Sequence, residues 1–306
     1  MRKFTNQMNG IINVYKPSGV SSFQTVNKIK KLLNADKCGH TGTLDPMAEG
    51  VLPVCVNQAT KFADYIMDFE KKYVAELCFG KKTDTMDKTG SILEERASCE
   101  IDEGKFRILL ENFTGDVNLK VPSFSAVKLN GERAYKLARK GEIEDAGYRT
   151  SKIKEMELLS FEFPVAVLRI RCNKGTYIRS LIDRLGDESG CLAYMSGLVR
   201  SCNGSFHMKD SFSPGEIEKC IENGDYSFIK NVNDILNWPV AVVKDEAVQL
   251  LMNGNAPEKQ GYLKLPLEQG DNFFIQNLKG EILAFGRKLK SSRKPIKIVK
   301  VFKDKL

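Results

Sequence analysis

The spacing of apolar residues predicts several strands. Apolar and polar residues alternate from Tyr73 to Phe79, which would place Tyr73, Ala75, Leu77 and Phe79 on one face. From Val165 to Cys172 the alternation recurs, with Leu168, Ile170 and Cys172 on one side. The runs from Ile11 to Tyr15 and from Val51 to Val56 are also compatible with strands.

Three other segments have the apolar spacing of helices. The first follows Ser21 or Ser22, either of which can cap a helix, and the third follows Thr176, another candidate cap. The apolar positions of the three predicted helices are Val26, Ile29 and Leu33; Phe62, Tyr65 and Ile66; and Ile178, Leu181, Ile182 and Leu185.

The composition changes near residues 237–239, which indicates a boundary between two domains at 1–238 and 239–306. The second segment predicts a small β-rich domain, in which short apolar runs alternate with glycine turns. Because strands and helices are mixed without regular β-α-β alternation, we predict an α+β fold with a largely antiparallel sheet. The C-terminal runs are Phe273 to Gln276, Ile282 to Phe285 and Ile296 to Val301, and the turn glycines are Gly254, Gly270, Gly280 and Gly286.

The charge is compatible with a polyanionic partner without requiring one. The 306 residues include 47 basic and 39 acidic side chains, for a net charge of +8. The last twenty residues, 287–306, carry nine Lys or Arg and a single acid, Asp304. Taken alone, such a tail is more typical of a solvated basic face than of a binding surface.

The cysteines and histidines do not predict a metal site. The eight cysteines are scattered without a Cys-x-x-Cys pair, and His40 and His207 are the two histidines. Cys55, Cys78 and Cys172 lie in apolar segments, where they are interpreted as small buried thiols. With no secretory segment or membrane span in the sequence, we predict a reduced, soluble, cytoplasmic protein.

Residues 39–50, with the sequence GHTGTLDPMAEG, carry the strongest chemical signal. The segment is too rich in glycine and polar residues for a core element, and it presents Asp45 just before Pro46. A short carboxylate held in this way is suited to act as a nucleophile or a general base. An aspartate that closes an Asx-turn or caps a helix is an equally good interpretation of the spacing alone.

A second segment, at about 122–150, combines aromatic and basic residues with a turn at Asn130-Gly131. An RNA-binding surface and an exposed amphipathic helix are both compatible with this pattern. The candidate phosphate contacts are Lys128, Arg133, Lys136, Arg139 and Lys140.

Several motifs together resemble the TruB family of tRNA pseudouridine synthases, from about Asn9 to Phe206. The central motif is GHTGTLDP at 39–46, with GVLP at 50–53 and ATK at 59–61. The other similar stretches are KPSGVSS at 16–22, KY at 72–73, GKKTDTMD at 80–87, GTYIR at 175–179 and GLVR at 197–200. One departure is Tyr15, where many members carry Asp.

The resemblance assigns roles to particular residues. It implies that Asp45 is the catalytic nucleophile, that Arg179 pairs with it and keeps it ionised, and that Tyr73 stacks on the target uracil and assists proton transfer. Without the motif, Tyr73 would be interpreted as a core residue. The other implied contacts are Tyr177 and Leu198 with the base, His40 in the space that the flipped base leaves, and Lys16 with RNA.

The resemblance also implies a fold, a substrate and partners. We expect the pseudouridine-synthase fold, with a bent mixed sheet crossed by a cleft, a thumb-like RNA-binding segment at about 122–150 and a PUA-like RNA-binding C-terminal domain. The expected substrate is uridine 55 in the T loop of tRNA, reached by base flipping, with no cofactor and no metal. Archaeal and eukaryotic relatives work in guide-RNA particles, whereas the thumb favours a stand-alone bacterial type, expected to be a monomer without an obligatory protein partner.

Two other functions remain open at this point. A non-enzymatic RNA-binding or RNA-folding protein would have no use for Asp45, Tyr73 and Arg179 together, although a tRNA-folding role can accompany catalysis. A small-molecule hydrolase would leave the basic segments without a purpose, and no P-loop or Rossmann glycine motif is present. Whether Asp45 attacks the base, attacks the sugar or removes a sugar proton does not follow from the sequence.

Overall fold

The fold is built on two sheets, which are seen in a computed structural model that describes residues 8–96, 98–125, 128–129, 132–133, 147–265, 272–289 and 294–302. Two short hairpins, β5–β6 and β8–β9, lie outside the sheets. The strands are β1 (Gly10–Lys16), β2 (Cys38–His40), β3 (Glu49–Val56), β4 (Lys71–Phe79), β5 (Lys81–Thr83), β6 (Ile92–Glu95), β7 (Gly115–Lys120), β8 (Lys128–Leu129), β9 (Glu132–Arg133), β10 (Tyr148–Glu162), β11 (Val165–Cys172), β12 (Ala193–Asn203), β13 (Phe206–His207), β14 (Ile229–Lys230), β15 (Val240–Val243), β16 (Tyr262–Lys264), β17 (Asn272–Gln276), β18 (Ile282–Lys288) and β19 (Ile296–Val301).

Helices cover the sheets. The α-helices are α1 (Ser22–Leu32), α2 (Ala63–Met67), α3 (Glu103–Glu111), α4 (Ile178–Glu188), α5 (Pro214–Glu222), α6 (Val232–Leu236) and α7 (Asp245–Met252). Short 3-10 helices span Asn57–Phe62, Met208–Asp210 and Lys259–Gly261. Among the described residues, no helix is both long and apolar enough to cross a membrane.

The large sheet has ten strands, with β14-β1-β3-β12-β4-β11-β10-β7 as its main order and with β2 and β13 at β3 and β12. Its pairs are antiparallel except where β12 runs parallel to β3. Arg200 of β12 lies opposite Tyr73 of β4 and beside Gly50 of β3, so these three positions share one face. The centre of the sheet, β3-β12-β4, carries the cleft described below.

Two cores flank that centre on the same face. On one side, Val26 and Ile29 of α1 pack on Leu52 and Val54 of β3. On the other side, the apolar residues of α4 pack on β4, β11 and β12; they include Leu181, Ile182 and Leu185. Helices α1 and α4 therefore cover different strands of one face of the sheet.

The small sheet has the order β16-β15-β17-β18-β19 and packs on the opposite face of the large one. The rings of Phe62 and Phe285 lie 4.9 Å apart, and those of Trp238 and Phe274 lie 5.0 Å apart. These aromatic contacts bury apolar surface from both sheets in one core, which ties the C-terminal strands to the large sheet.

Most of the expected elements are present. The α+β class and the mostly antiparallel sheet are confirmed, and the predicted strands and helices are found within a few residues of their expected bounds. Ser21 is the N-cap of α1, in a capping box with Gln24. The β-rich C-terminal part is also confirmed, whereas the boundary at 238–239 stays a prediction.

Two local predictions are wrong. Tyr177, not Thr176, is the N-cap of α4; the Thr176 hydroxyl donates instead to the carbonyl of Asn173, at 3.1 Å. Gly286 lies inside β18 rather than in a turn. A Cβ at that position would lie 2.4 Å from a side-chain carbon of Ile296, so the glycine allows the close approach of β19.

The cysteines differ in part from the expectation. Cys55 and Cys172 are buried thiols, as predicted, but Cys78 is only half-buried. Cys99 and Cys191 form a disulfide, so the prediction of a fully reduced chain is wrong for this structure. The two residues are 92 positions apart, and the short spacing rules applied to the sequence do not detect such a pair.

Candidate active site

The loop that carries Asp45 is fixed by hydrogen bonds to the segment that leads into α1. The Ser22 hydroxyl donates to the carbonyl of Leu44 and accepts from its N–H, both at 2.9 Å. The N–H of Gly19 donates to the carbonyl of Pro46 at 2.8 Å. The backbone therefore has defined partners at Leu44 and Pro46, on both sides of Asp45, which is held on a rigid support.

Arg179 binds the Asp45 carboxylate through two nitrogens. Its Nε lies 2.8 Å from Oδ2, and its Nη2 donates to Oδ1 at 3.3 Å. The arginine side chain is 5% exposed and the aspartate 33%, so the carboxylate is the member of the pair that solvent or a substrate can reach. A bidentate guanidinium fixes the rotamer of the carboxylate.

Arg179 is itself held by further acceptors. It donates to the carbonyls of Thr85 and Phe124, each at 3.0 Å, and its Nε lies 3.8 Å from Oδ2 of the buried Asp87. Asp45, Asp87 and Arg179 form what we call the wall of the site. The sequence analysis missed Asp87, although it quoted the TDTMD stretch that contains it; a second acid in that stretch is the signal that was available.

Tyr73, Leu198 and Arg200 form the floor of the site. Arg200 is 1% exposed and donates to the carbonyls of Val51, at 2.6 Å, and Gly42, at 3.1 Å. It also hydrogen bonds to Tyr73. Burial raises the pKa of the Tyr73 phenol, so this side chain stays protonated at neutral pH.

The approach of β12 to β3 at the floor requires a glycine. Gly50 has a φ of +105°, and a Cβ there would lie 2.4 Å from the carbonyl oxygen of Arg200. Only glycine tolerates both conditions. The glycine-rich motif is thus explained partly by the packing of two strands under the site, and not by chemistry alone.

The wall and floor enclose a cleft of about 270 Å³. It gathers Asp45, Tyr73, Tyr177, Arg179 and Leu198, five of the six residues that the sequence analysis placed in catalysis or at the base. His40, the sixth, ends β2 beside the loop and does not line the cleft; the N–H of Gly42 lies 3.4 Å from its Nδ1. A carboxylate held beside two tyrosines and a leucine can react with a flat ring placed between them.

Lys71 also lines the cleft, and the sequence analysis did not single it out. It is 5% exposed, and its ammonium donates to the carbonyls of Met67 and Phe69. Burial lowers the pKa of Lys71 to about 8. It precedes Tyr73 by two positions on β4, so the strand alternation could have placed it on the same buried face.

The prediction that Lys16 contacts RNA is wrong for this structure. Its side chain is fully buried, and the ammonium donates to the carbonyls of Pro17, Val20 and Pro46 at 2.7–3.3 Å. Burial lowers its pKa to about 8. Lys16 therefore supports the loop of Asp45 from inside, and its charge is not available to a phosphate.

The other predicted phosphate contacts lie at the edge of the described structure or beyond it. Lys128 and Arg133 face each other across the β8–β9 hairpin, but their side chains lie outside the described residues. Lys136, Arg139 and Lys140 lie outside them altogether. Within the ranges that the structure describes, no group of three or more His, Cys, Asp or Glu side chains could hold a metal ion.

Comparison with known proteins shows which family shares this sequence and fold. Residues 30–178 match the model of the TruB family pseudouridylate synthase N-terminal domain. The chain is 38% identical to the tRNA pseudouridine synthase B of Clostridium kluyveri, over 84% of this chain and 88% of that one. It is 36% identical to the protein of the same name from Pseudomonas aeruginosa, over 94% and 96% of the two chains.

A solved structure gives the same result. A chain in the crystal structure of a Cbf5–Nop10–Gar1 complex superposes with a TM-score of 0.72 at 28% identity, over 96% of this chain and 85% of that one. Fold and cleft together define an enzyme of the pseudouridine synthase class. The chain belongs to the TruB family of pseudouridylate synthases.

Proposed function

We propose that this enzyme converts uridine 55 in the T loop of tRNA to pseudouridine, with Asp45 as the reacting group. The observation that carries the proposal is the bidentate Asp45–Arg179 pair at a cleft lined by Tyr73, Tyr177 and Leu198. The names of the bacterial relatives support tRNA as the substrate. A cytoplasmic location and action without an obligatory protein partner, as a monomer, belong to the same proposal.

The reaction rearranges one nucleotide. The bond from N1 of uracil to C1′ of ribose breaks, a bond from C5 to C1′ forms, the C5 proton leaves to water and N1 takes up a proton. Atoms balance without an oxidant or an external energy source. Because the target base is stacked in the loop, it must first be flipped out, which costs a few kcal/mol.

The residues of the cleft have separate parts in this proposal. Tyr73, Tyr177 and Leu198 hold the flipped uracil, and His40 occupies the space that it leaves in the loop. Asp45 attacks the base or the sugar, or removes a sugar proton, and Arg179 keeps it ionised. The 33% exposure of Asp45 beside the nearly buried Arg179 supports this order of roles.

The basic segments would bind the rest of the RNA. We propose that residues at about 122–150 form the thumb, with Lys128, Arg133, Lys136, Arg139 and Lys140 as phosphate contacts. Residues 239–306 form a PUA-like RNA-binding domain in this proposal. The excess of Lys and Arg in residues 287–306 supports it.

The test is tritium release from tRNA labelled at C5 of uridine. We expect release from unmodified tRNA and from a T-arm stem-loop with the wild type, and none with Asp45→Ala. The same RNAs with cytidine at position 55 should give no release. Release from the cytidine-55 RNA would overturn the target position, and release by Asp45→Ala would overturn the role of the aspartate.

A further inference from the structure

Helix α1 presents a basic surface that the proposed function does not yet use. Val26, Ile29 and Leu33 are buried against the sheet, while the opposite side of the helix is exposed. The exposed side carries an aromatic ring, Phe23, which is 70% exposed in the first turn. What we call the α1 surface consists of Phe23, Lys28, Lys30 and Lys31.

The three lysines of this surface form no ion pair within the described residues. Some exposed cations elsewhere are paired, for example Lys105 with Asp102 on α3 and Arg169 with Glu157 across β11 and β10, whereas others, such as Lys72 and Lys88, form no ion pair within the described residues either. Paired cations neutralise each other, whereas unpaired ones on one helix face add their fields. Lysines in the last turn of a helix interact favourably with the helix dipole, which explains Lys30 and Lys31 but not Lys28.

The α1 surface is fixed to the active site. Ser22, the first residue of the helix, makes both hydrogen bonds to Leu44, next to Asp45. Helix α1 and the cleft lie on the same face of the large sheet. At 1.5 Å per residue, Lys31 lies about 14 Å along the helix axis from Ser22.

We propose that the α1 surface binds phosphates of tRNA that lie outside the T stem-loop, with Phe23 in contact with the same RNA. The inference rests on the proposed function. The flipped base lies at Asp45 in the proposed function, whereas Lys28 and Lys31 lie further along α1 from the contact of Ser22 with Leu44, so RNA that meets them is distant from that base. The predicted thumb follows β7, the edge strand of the sheet on the side away from β1 and α1, which leaves α1 to bind another part of the molecule.

The test compares two RNAs and two matched variants. Lys28→Gln/Lys31→Gln removes two charges from the α1 surface, and Lys105→Gln/Arg107→Gln removes two charges from paired cations of α3. For each protein, the KM for unmodified full-length tRNA is divided by the KM for the T-arm stem-loop. We expect the α1 variant to raise this ratio roughly threefold to tenfold and to lower the salt dependence of tRNA binding by about two charges. The α3 variant should change neither.

A third variant separates charge from folding. Lys28→Arg/Lys31→Arg keeps both charges and should retain the wild-type ratio, while thermal melting checks that all variants fold. An unchanged KM ratio in the Lys28→Gln/Lys31→Gln variant would overturn the inference, and so would an equal rise of both KM values. Neither result would contradict the proposed function as long as the wild type turns over the tRNA. No release from either RNA by the wild type would instead contradict the proposed function.

Discussion

Two buried arginines that line the cleft have different partners, and the difference separates chemistry from support. Arg179 in the wall binds carboxylates, of which Asp45 is open to the cleft. Arg200 in the floor binds the carbonyls of Val51 and Gly42 and the hydroxyl of Tyr73. The first arginine fixes the position of a reactive group, and the second holds together the backbone that carries it. Changes at Arg179 should therefore reduce rate, and changes at Arg200 should reduce stability.

The largest expected effect is that of Asp45→Asn. The amide keeps the shape of the side chain but has no charge and no nucleophilic oxygen, so we expect kcat to fall roughly 10⁴-fold or more. The dissociation constant for tRNA and the melting temperature should stay near the wild-type values. A single-turnover rate within about tenfold of the wild type would remove Asp45 from the chemistry and end the distinction between wall and floor.

Arg200→Met should have the largest effect on stability. It leaves the Val51 and Gly42 carbonyls without their charged donor in a buried site, which we expect to lower the free energy of unfolding by about 3 kcal/mol. Arg169→Met is the control, because that arginine is exposed and pairs with the exposed Glu157; its cost should stay within about 1 kcal/mol. Denaturant unfolding measures the free energy of unfolding of both variants. Equal losses would show that Arg200 contributes no more to stability than an exposed arginine.

Arg179→Lys tests the wall without removing its charge. Lysine cannot bind both carboxylate oxygens in the plane of one fork, so we expect Asp45 to be less well oriented and kcat to fall about 100-fold. Because a charge remains beside Asp45 and Asp87, the loss of stability should be smaller than that of Arg200→Met. A wild-type kcat would show that Arg179 does not orient Asp45. A loss of stability as large as that of Arg200→Met would show that Arg179 supports the fold as Arg200 does.

The sequence predicted the reactive residues better than it predicted what supports them. Asp45 and Arg179 are 134 positions apart, and the resemblance to a known family, not their spacing, suggested the pair that the structure contains. Lys16 was misassigned because a motif shows that a lysine is needed but not whether its ammonium faces solvent or three buried carbonyls.

Residues outside the recognised positions were harder to predict. Asp87 and Arg200 act by binding groups that the fold brings from distant parts of the chain, and local patterns do not contain those contacts. The same limit applies to the Cys99–Cys191 disulfide, which no short spacing predicts. By contrast, elements with regular periodicity, such as β4 and α1, followed directly from the sequence because burial of one face depends on local alternation.

The smallest expected effect concerns the pH dependence that Lys71 gives to stability. Burial lowers the pKa of Lys71 to about 8, below its ordinary value of 10.5. Above pH 8 the unfolded chain therefore holds a proton that the folded protein has lost, so the free energy of unfolding rises with pH. Relative to Lys71→Met, the wild type should gain about 1 kcal/mol between pH 8 and pH 9.

The comparison with Lys71→Met isolates this one group. Lys16 has a similarly lowered pKa, but it is present in both proteins and cancels in the difference. A difference in unfolding free energy that does not change with pH would mean that the Met67 and Phe69 carbonyls keep Lys71 protonated. In that case the floor would extend to Lys71 as a charged support, like Arg200, and its burial would be balanced by hydrogen bonds to the backbone.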